Sequence, residues 1–253
     1  MIPLRDDNPH FLTPFVTIGL IVLNLVAWVA VQGFGTEPAL TRSICTLGLI
    51  PGELLGLLPE GRTPQGAVCG AIDEPLWLTL VSSMFLHGGL GHILGNMWFL
   101  WVFGNNVEDS MGHTRFFAFY LLCGVMAAVA QIIASPASPV PMVGASGAIG
   151  GVMGAYVVLY PRVPVHMIGF IGIPIFFAVP AIWMLGYWFV VQLLSGVFSV
   201  GDSTGGVAFW AHVGGFVAGA LLIGVFQDRS LVRRHPYHGW SDRSNAARGW
   251  GRI

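Results

Sequence analysis

The chain contains no lysine, and only 9% of its 253 residues are charged. That is too little charge to cover a water-facing surface, so an ordinary soluble domain is excluded. The missing lysine also removes a serine–lysine dyad. No His-Glu-x-x-His and no pair of aspartates occurs within an uncharged run, which excludes zinc and aspartyl membrane proteases. Ala148 fills the last position of what would be a Gly-x-Ser-x-Gly elbow, so the α/β-hydrolase pattern is absent. There are three cysteines. Cys45 and Cys69 share one loop and could be bridged or free, whereas Cys123 sits in an apolar run as a packing residue. His87 and His92 are spaced i,i+5, on different helix faces and without a nearby acid or thiol, so no metal or other cofactor is expected.

What is present is hydrophobic: 55% of the residues, gathered into long uncharged runs. Runs bounded by Asp7 and Glu37, Glu74 and Glu108, Arg115 and Arg162, Arg162 and Asp202, and Asp202 and Asp228 each exceed the roughly 20 residues needed to cross a bilayer. The third is twice that length and is broken at Ser135-Pro136-Ala137-Ser138-Pro139-Val140-Pro141, where a helix loses donors and clashes with its own carbonyls. It therefore predicts a helical hairpin. The reading is an all-α polytopic membrane protein with spans at 11–33, 82–105, 115–135, 144–161, 174–198 and 206–227, since backbone facing lipid must bond within its own helix. One membrane domain over 11–227 then lies between an N-terminus of residues 1–10 and a tail of 228–253, with no internal repeat.

An even number of spans puts both termini on one side. Arg5, Arg115, Arg162, Arg229, Arg233 and Arg234 fall on that side near the span ends, against Arg42 and Arg62 opposite, so both termini are expected to be cytoplasmic. Arg243, Arg248 and Arg252 extend the basic tail, which is expected to lie against anionic headgroups and not to bind nucleic acid. His113, His166, His235 and His238 are expected to be solvated on the same side. The first span is too long for a cleaved signal peptide and reads as a signal anchor. The loop at 34–78 is the largest outer segment, and its Ile44 to Leu58 portion has enough leucine to lie in the interface.

Polar side chains inside spans cost about 2.5–3.5 kcal/mol when ionisable and unpaired, so each is a functional candidate. His87, His92 and Asn96 lie on the second span, Ser146 at the head of the fourth, and His212 on the sixth. Counting residues from the outer span ends places all of them in the outer half or near the middle of the membrane. His92 and Asn96, at i,i+4, share a face and could hold a developing oxyanion. A serine at a helix N-terminus has free backbone N–H groups and the positive dipole end beside it, and a histidine in reach could take its proton. Structural readings stand beside these. Ser146 with Gly147, Gly150, Gly151 and Gly154 also fits close helix packing, and His212, His92 and Asn96 could simply tie helices together.

Four separated segments narrow this choice. They are His87-Gly-Gly-Leu-Gly-His92-Ile-Leu-Gly-Asn96, Gly144-Ala145-Ser146-Gly147, Ala211-His212-Val213-Gly214-Gly215 followed by Gly219, and Gly104-Asn105-Asn106-Val107-Glu108. Together they resemble the rhomboid family of intramembrane serine proteases over about residues 76 to 227, the last segment looking like the family's cytoplasmic turn. The resemblance implies a six-helix bundle with a site open to water from outside and to substrate helices from the lipid. Ser146 is then the nucleophile and His212 its base. His92, Asn96 and the Ser146 N–H stabilise the oxyanion, Gly144 helps shape that hole, and His87 shapes the outer part of the site. Substrates are single-span membrane proteins cut after a small residue, and the setting is a prokaryotic plasma (inner) membrane. Two departures stand out: Trp77 is followed by Leu78 where relatives carry Trp-Arg, and Gly150 stands where some carry an aromatic that packs on the base. The alternative is a non-proteolytic rhomboid-like protein that binds membrane helices.

Overall fold

The computed structural model describes residues 2–58, 69, 76–170, 172–199 and 207–235. Arg62, His238 and the tail arginines Arg243, Arg248 and Arg252 lie outside the described residues. Ten α-helices occur among those described: α1 Phe15–Ala30, α2 Ala39–Leu47, α3 Pro51–Leu54, α4 Thr79–Ser82, α5 Leu90–Met111, α6 His113–Ala134, α7 Ser146–Leu159, α8 Ala181–Phe198, α9 Phe209–Phe226 and α10 Arg229–Arg234. Among the described residues, α6, α8 and α9 are long and apolar enough to cross a membrane. A fourth crossing results if α5 and the bent segment Leu76–Phe85, inclined at 79°, form one span, while α1 and α7 are apolar but shorter. Each of the six apolar segments thus holds a helix, and the chain is an integral membrane protein. Ser135 to Ala145 separates α6 from α7, at the predicted proline break.

Three strands were not expected. β1 Ile2–Asp6, β2 Pro164–Phe170 and β3 Pro174–Pro180 form an antiparallel sheet in the order β1-β2-β3. Ile2 pairs with Ile168 and Asp6 with Val165, while Pro164 faces Pro180 and Phe170 faces Pro174. β2 alternates in burial, with Val165 and Met167 turned inward. Residues 174–180 therefore do not begin the fifth span: hydropathy cannot tell an apolar strand from an apolar helix, and Pro174 and Pro180 mark the strand that precedes α8. The fold is mainly but not wholly α.

α5 also differs from its expected limits. It begins at Leu90 and runs on to Met111, so Gly104-Asn105-Asn106-Val107-Glu108 is helix and not a turn. The turn falls at Gly112, whose φ of +77° suits glycine. This extension carries two acids into the protein. The Glu108 side chain is fully buried and accepts from the Val16 N–H at 2.9 Å, the Thr17 N–H at 2.8 Å and the Thr17 hydroxyl at 2.7 Å, and it contacts His113 Nδ1 at 2.6 Å. Asp109 accepts from the N–H groups of Phe11 and Leu12. Glu108 thus occupies the positive N-terminal end of α1 and satisfies donors that a helix start leaves open, while Asp109 holds the segment that leads into it.

The expected solvation of the terminal-side histidines also needs correction. His235 is only 4% exposed, stacks on Tyr160 with ring centroids 4.7 Å apart, and contacts the Pro9 carbonyl at 3.0 Å. Its distance in sequence from Tyr160 hid that contact. His166 pairs with Asp7 at 2.9 Å. At the opposite end a disulfide joins Cys45 to Cys69. Leu49 and Ile50 are buried beside it in sequence, whereas Leu55 and Leu57 are exposed.

Replacing Glu108 with alanine leaves the first turn of α1 without acceptors and is expected to destabilise the protein by about 3 kcal/mol. Glu108→Gln retains one acceptor and loses less. The readout is the midpoint of unfolding in detergent, followed by a thiol-reactive dye on the buried Cys123. Asp6 supplies a second test. Burial raises its carboxyl to about 6 from an ordinary 3.8, against the lowering effect of a hydrogen bond from the Tyr156 hydroxyl. The fold thus favours protonated Asp6, a stabilisation fully present below pH 3.8 and lost as pH rises through about 6. Unfolding midpoints measured from pH 4 to pH 8 should fall more for wild type than for Asp6→Asn.

Candidate active site

Ser146 is the first residue of α7, where the chain re-enters the bundle after the proline-rich break. The approach is fixed from below: the Gly144 N–H donates to the Ser83 carbonyl at 2.9 Å. Gly144 has a φ of +128°, and a Cβ there would lie 2.8 Å from His92 Nε2 and 3.5 Å from the Ser146 hydroxyl. Glycine is therefore required on backbone and steric grounds together. His212 lies in the first turn of α9, with its Nε2 2.7 Å from Ser146 Oγ. Its Nδ1 faces Gln192 Oε1 on α8 at 2.7 Å, and the Trp188 ring lies 5.8 Å away at a tilt of 38°.

That contact depends on how closely α7 and α9 approach. A Cβ on Gly215 would fall 2.0 Å from the Gly147 carbonyl oxygen, and one on Gly219 1.9 Å from that of Gly151. One on Gly154 would fall 2.0 Å from the Phe216 carbonyl oxygen. These distances are below any real contact, so the helices meet backbone to backbone. Gly150 belongs to the same seam, 3.0 Å by its notional Cβ from the His212 carbonyl oxygen. The missing aromatic at this position is explained: α9 occupies the space it would fill, and the histidine is backed from α8 instead.

His92 and Asn96 enter from α5 and line, with Ser146, Gly144 and His212, a cavity of about 530 Å³. Leu80, Met142, Val143 and Trp188 give its walls their apolar character. The Gly88 N–H donates to His92 Nδ1 at 3.2 Å, which leaves the proton of a neutral imidazole on Nε2, the nitrogen nearer Gly144. Asn96 is buried, and its Nδ2 has no hydrogen-bond partner within the protein. An orphaned donor on a cavity wall is available to a ligand oxygen. His87 is placed differently from expectation. It is fully buried and not among the cavity-lining residues, its ring edge-on to His92 at 5.1 Å. Gln32 holds its backbone by two hydrogen bonds of 2.8 Å. His87 thus stands behind His92, outside the cavity lining. Trp77, at the departing loop position, is 65% exposed.

Sequence inspection passed over Gln192 and Trp188. The available signal was an amide within an otherwise apolar span, which is unusual enough to mark. Gln131 on α6 escaped in the same way; its side-chain carbonyl accepts from the Ala211 N–H at 3.3 Å, beside the histidine.

A membrane-embedded helical bundle that brings a serine at a helix start against a histidine on another helix defines an integral membrane protein with a serine–histidine pair inside it. Comparison with known proteins makes this specific: the Rhomboid domain matches residues 74–229, and the chain belongs to the rhomboid family. It is 35% identical over 153 residues to the Rhomboid protease GluP of Bacillus subtilis, covering 60% of this chain and 27% of that protein. Rhomboid protein 1, mitochondrial, of Saccharomyces cerevisiae is 27% identical over 150 residues, 57% of this chain and 40% of the relative. Rhomboid-like protein 11, chloroplastic, of Arabidopsis thaliana is 36% identical over 77 residues, 30% of this chain and 27% of the relative. The chain thus spans well under half the length of these curated relatives.

Gly144→Ala places a methyl group against the His92 ring. It is expected to slow covalent labelling of Ser146 by a fluorophosphonate by about 100-fold, the scale of losing one oxyanion donor, and to lower the unfolding midpoint, because alanine is strained at a φ of +128°.

Proposed function

We propose that this protein is an intramembrane serine endopeptidase that cleaves transmembrane segments of single-span membrane proteins. The observation that carries the reading is the 2.7 Å contact between His212 Nε2 and Ser146 Oγ. In the proposed reaction His212 Nε2 takes the hydroxyl proton as Ser146 Oγ attacks the scissile carbonyl carbon. The oxygen of that carbonyl becomes an oxyanion among the Ser146 N–H, His92 Nε2–H and Asn96 Nδ2–H groups. The imidazolium then gives its proton to the leaving amine, and the C–N bond breaks. Water repeats the sequence on the acyl-enzyme, with His212 again as base, and frees the new carboxyl terminus. No cofactor enters any step. Fixed donors aimed at the oxyanion are worth about 2.7–4 kcal/mol each in acyl transfer.

In this reading the membrane domain at 11–227 has six spans, with residues 1–10 and the tail at 228–253 both cytoplasmic. The arginine distribution supports that orientation, and the Cys45–Cys69 disulfide agrees with an outer, oxidising compartment for the loop at 34–78. The site would open to the outside of a prokaryotic inner membrane. Small residues, among them Gly124, Ala127 and Gly147, line the cavity, which is compatible with cleavage after a small residue.

The test is cleavage of a single-span substrate in liposomes by wild type, Ser146→Ala and His212→Ala. Wild-type cleavage should be abolished in both variants, a loss of at least about 1,000-fold. Cleavage that survives Ser146→Ala would overturn the mechanism. A folded wild type that binds the substrate and leaves it intact would identify a helix-binding protein instead.

A further inference from the structure

His212 has two ring nitrogens, and a neutral imidazole carries a proton on only one of them. To act as a base toward Ser146, Nε2 must be bare and the proton must sit on Nδ1. The group facing Nδ1 is the side-chain carbonyl oxygen of Gln192, at 2.7 Å. A carbonyl oxygen only accepts, so this contact requires the proton on Nδ1 and leaves the Nε2 lone pair directed at Ser146 Oγ. Trp188 lies one turn before Gln192 on the same face of α8, its ring set against both His212 and Phe216. The remainder of that helix is largely turned outward, with Tyr187 64% and Val190 50% exposed.

We infer that Gln192 is the positioning residue of the dyad: through its side-chain carbonyl it holds His212 in the tautomer that can deprotonate Ser146, the part a carboxylate plays in a soluble triad. The inference rests on the hydrolase reading of Ser146 and His212. The choice of an amide follows from the location. A carboxylate within apolar α8 carries a large desolvation cost, whereas an amide supplies the same acceptor with no charge. Its dipole still favours the imidazolium that forms when the serine proton arrives. The seam of glycines explains why the part falls to α8: with α9 lying against Gly150, α7 has no room for a side chain that could orient the base. A plain interhelical tie would require only that Gln192 hold α8 to α9.

The two roles separate experimentally in the full-length protein. Gln192→Met preserves shape and removes the acceptor; Gln192→Glu keeps the acceptor. In liposomes the methionine variant should lower kcat about 10- to 100-fold, the range seen for partners that orient metal-bound imidazoles, with KM nearly unchanged, and the glutamate variant, which keeps an acceptor oxygen, should retain more kcat than the methionine variant despite its desolvation cost. Nitrogen-15 NMR of histidine-labelled protein in micelles should show His212 protonated at Nδ1 in wild type and at mixed nitrogens in Gln192→Met. Unchanged kcat in a folded Gln192→Met, or a wild-type His212 protonated at Nε2, would overturn the inference. If the methionine variant does not fold, the wild-type tautomer decides. If wild type cleaves nothing, the proteolytic reading falls while the NMR comparison still decides whether Gln192 sets the tautomer.

Discussion

The close approach of α7 and α9 is the constraint on which the candidate site depends. Gly147, Gly151 and Gly154 on one helix meet Gly215, Phe216 and Gly219 on the other with no side chain between the backbones. Lipid offers no hydrophobic incentive for two apolar helices to associate, so the attraction must come from packing at short range. Only at that range does a histidine in the first turn of α9 reach a serine at the first residue of α7. A single added methyl at Gly215 or Gly219 would clash with the facing backbone and force the helices apart there. The hydrogen bond between Ser146 and His212 is therefore set by glycines that contribute no side chain to it.

The two ends of the bundle are held by different means. Around residues 2–17 and 105–113, buried polar groups interlock: Glu108 caps the start of α1, Asp109 holds the preceding Phe11 and Leu12, and Asn106 Nδ2 donates to the Asn8 carbonyl. At the other end the clamps are the disulfide and the Gln32 bonds to the backbone of His87. Between them the neighbourhood of the dyad has few such ties. Its donors point into a cavity, and Asn96 and the buried ring nitrogens of His87 remain unpaired within the protein. Unsatisfied polar groups are costly, and for Asn96, on the cavity wall, a ligand oxygen could meet that cost; His87 lies behind His92, outside the cavity lining.

The helices were legible because long uncharged runs admit few other structures, and the proline break between α6 and α7 was legible because proline cannot donate. The residues of the candidate site stood out as polar groups in apolar surroundings at a common depth. The sheet did not, because the residues from Pro164 to Pro180 are as apolar as a span and their pairing with residues 2–6 is non-local. Glu108 looked like the end of a span because a charge ordinarily marks one. It belongs instead to a helix whose last turns run beneath α1. Gln192 was overlooked because its meaning lies in one atom, the carbonyl oxygen facing His212, and no periodicity reveals which way an amide points.

The groups gathered at the site are all formally uncharged when His212 is in its proton-accepting form. A carboxylate at the depth of Gln192 would place a fixed charge within the electric field of the membrane, where moving one charge across the full potential is worth about 2.3 kcal/mol per 100 mV. With an amide there, the only charges the proposed reaction would create are the imidazolium and the oxyanion, formed together and a few ångströms apart. Such a close pair feels little of the transmembrane voltage. If the proposed reaction takes place, this arrangement would uncouple it from the energetic state of the cell, so that an enzyme of this construction would work alike in a polarised and a depolarised membrane.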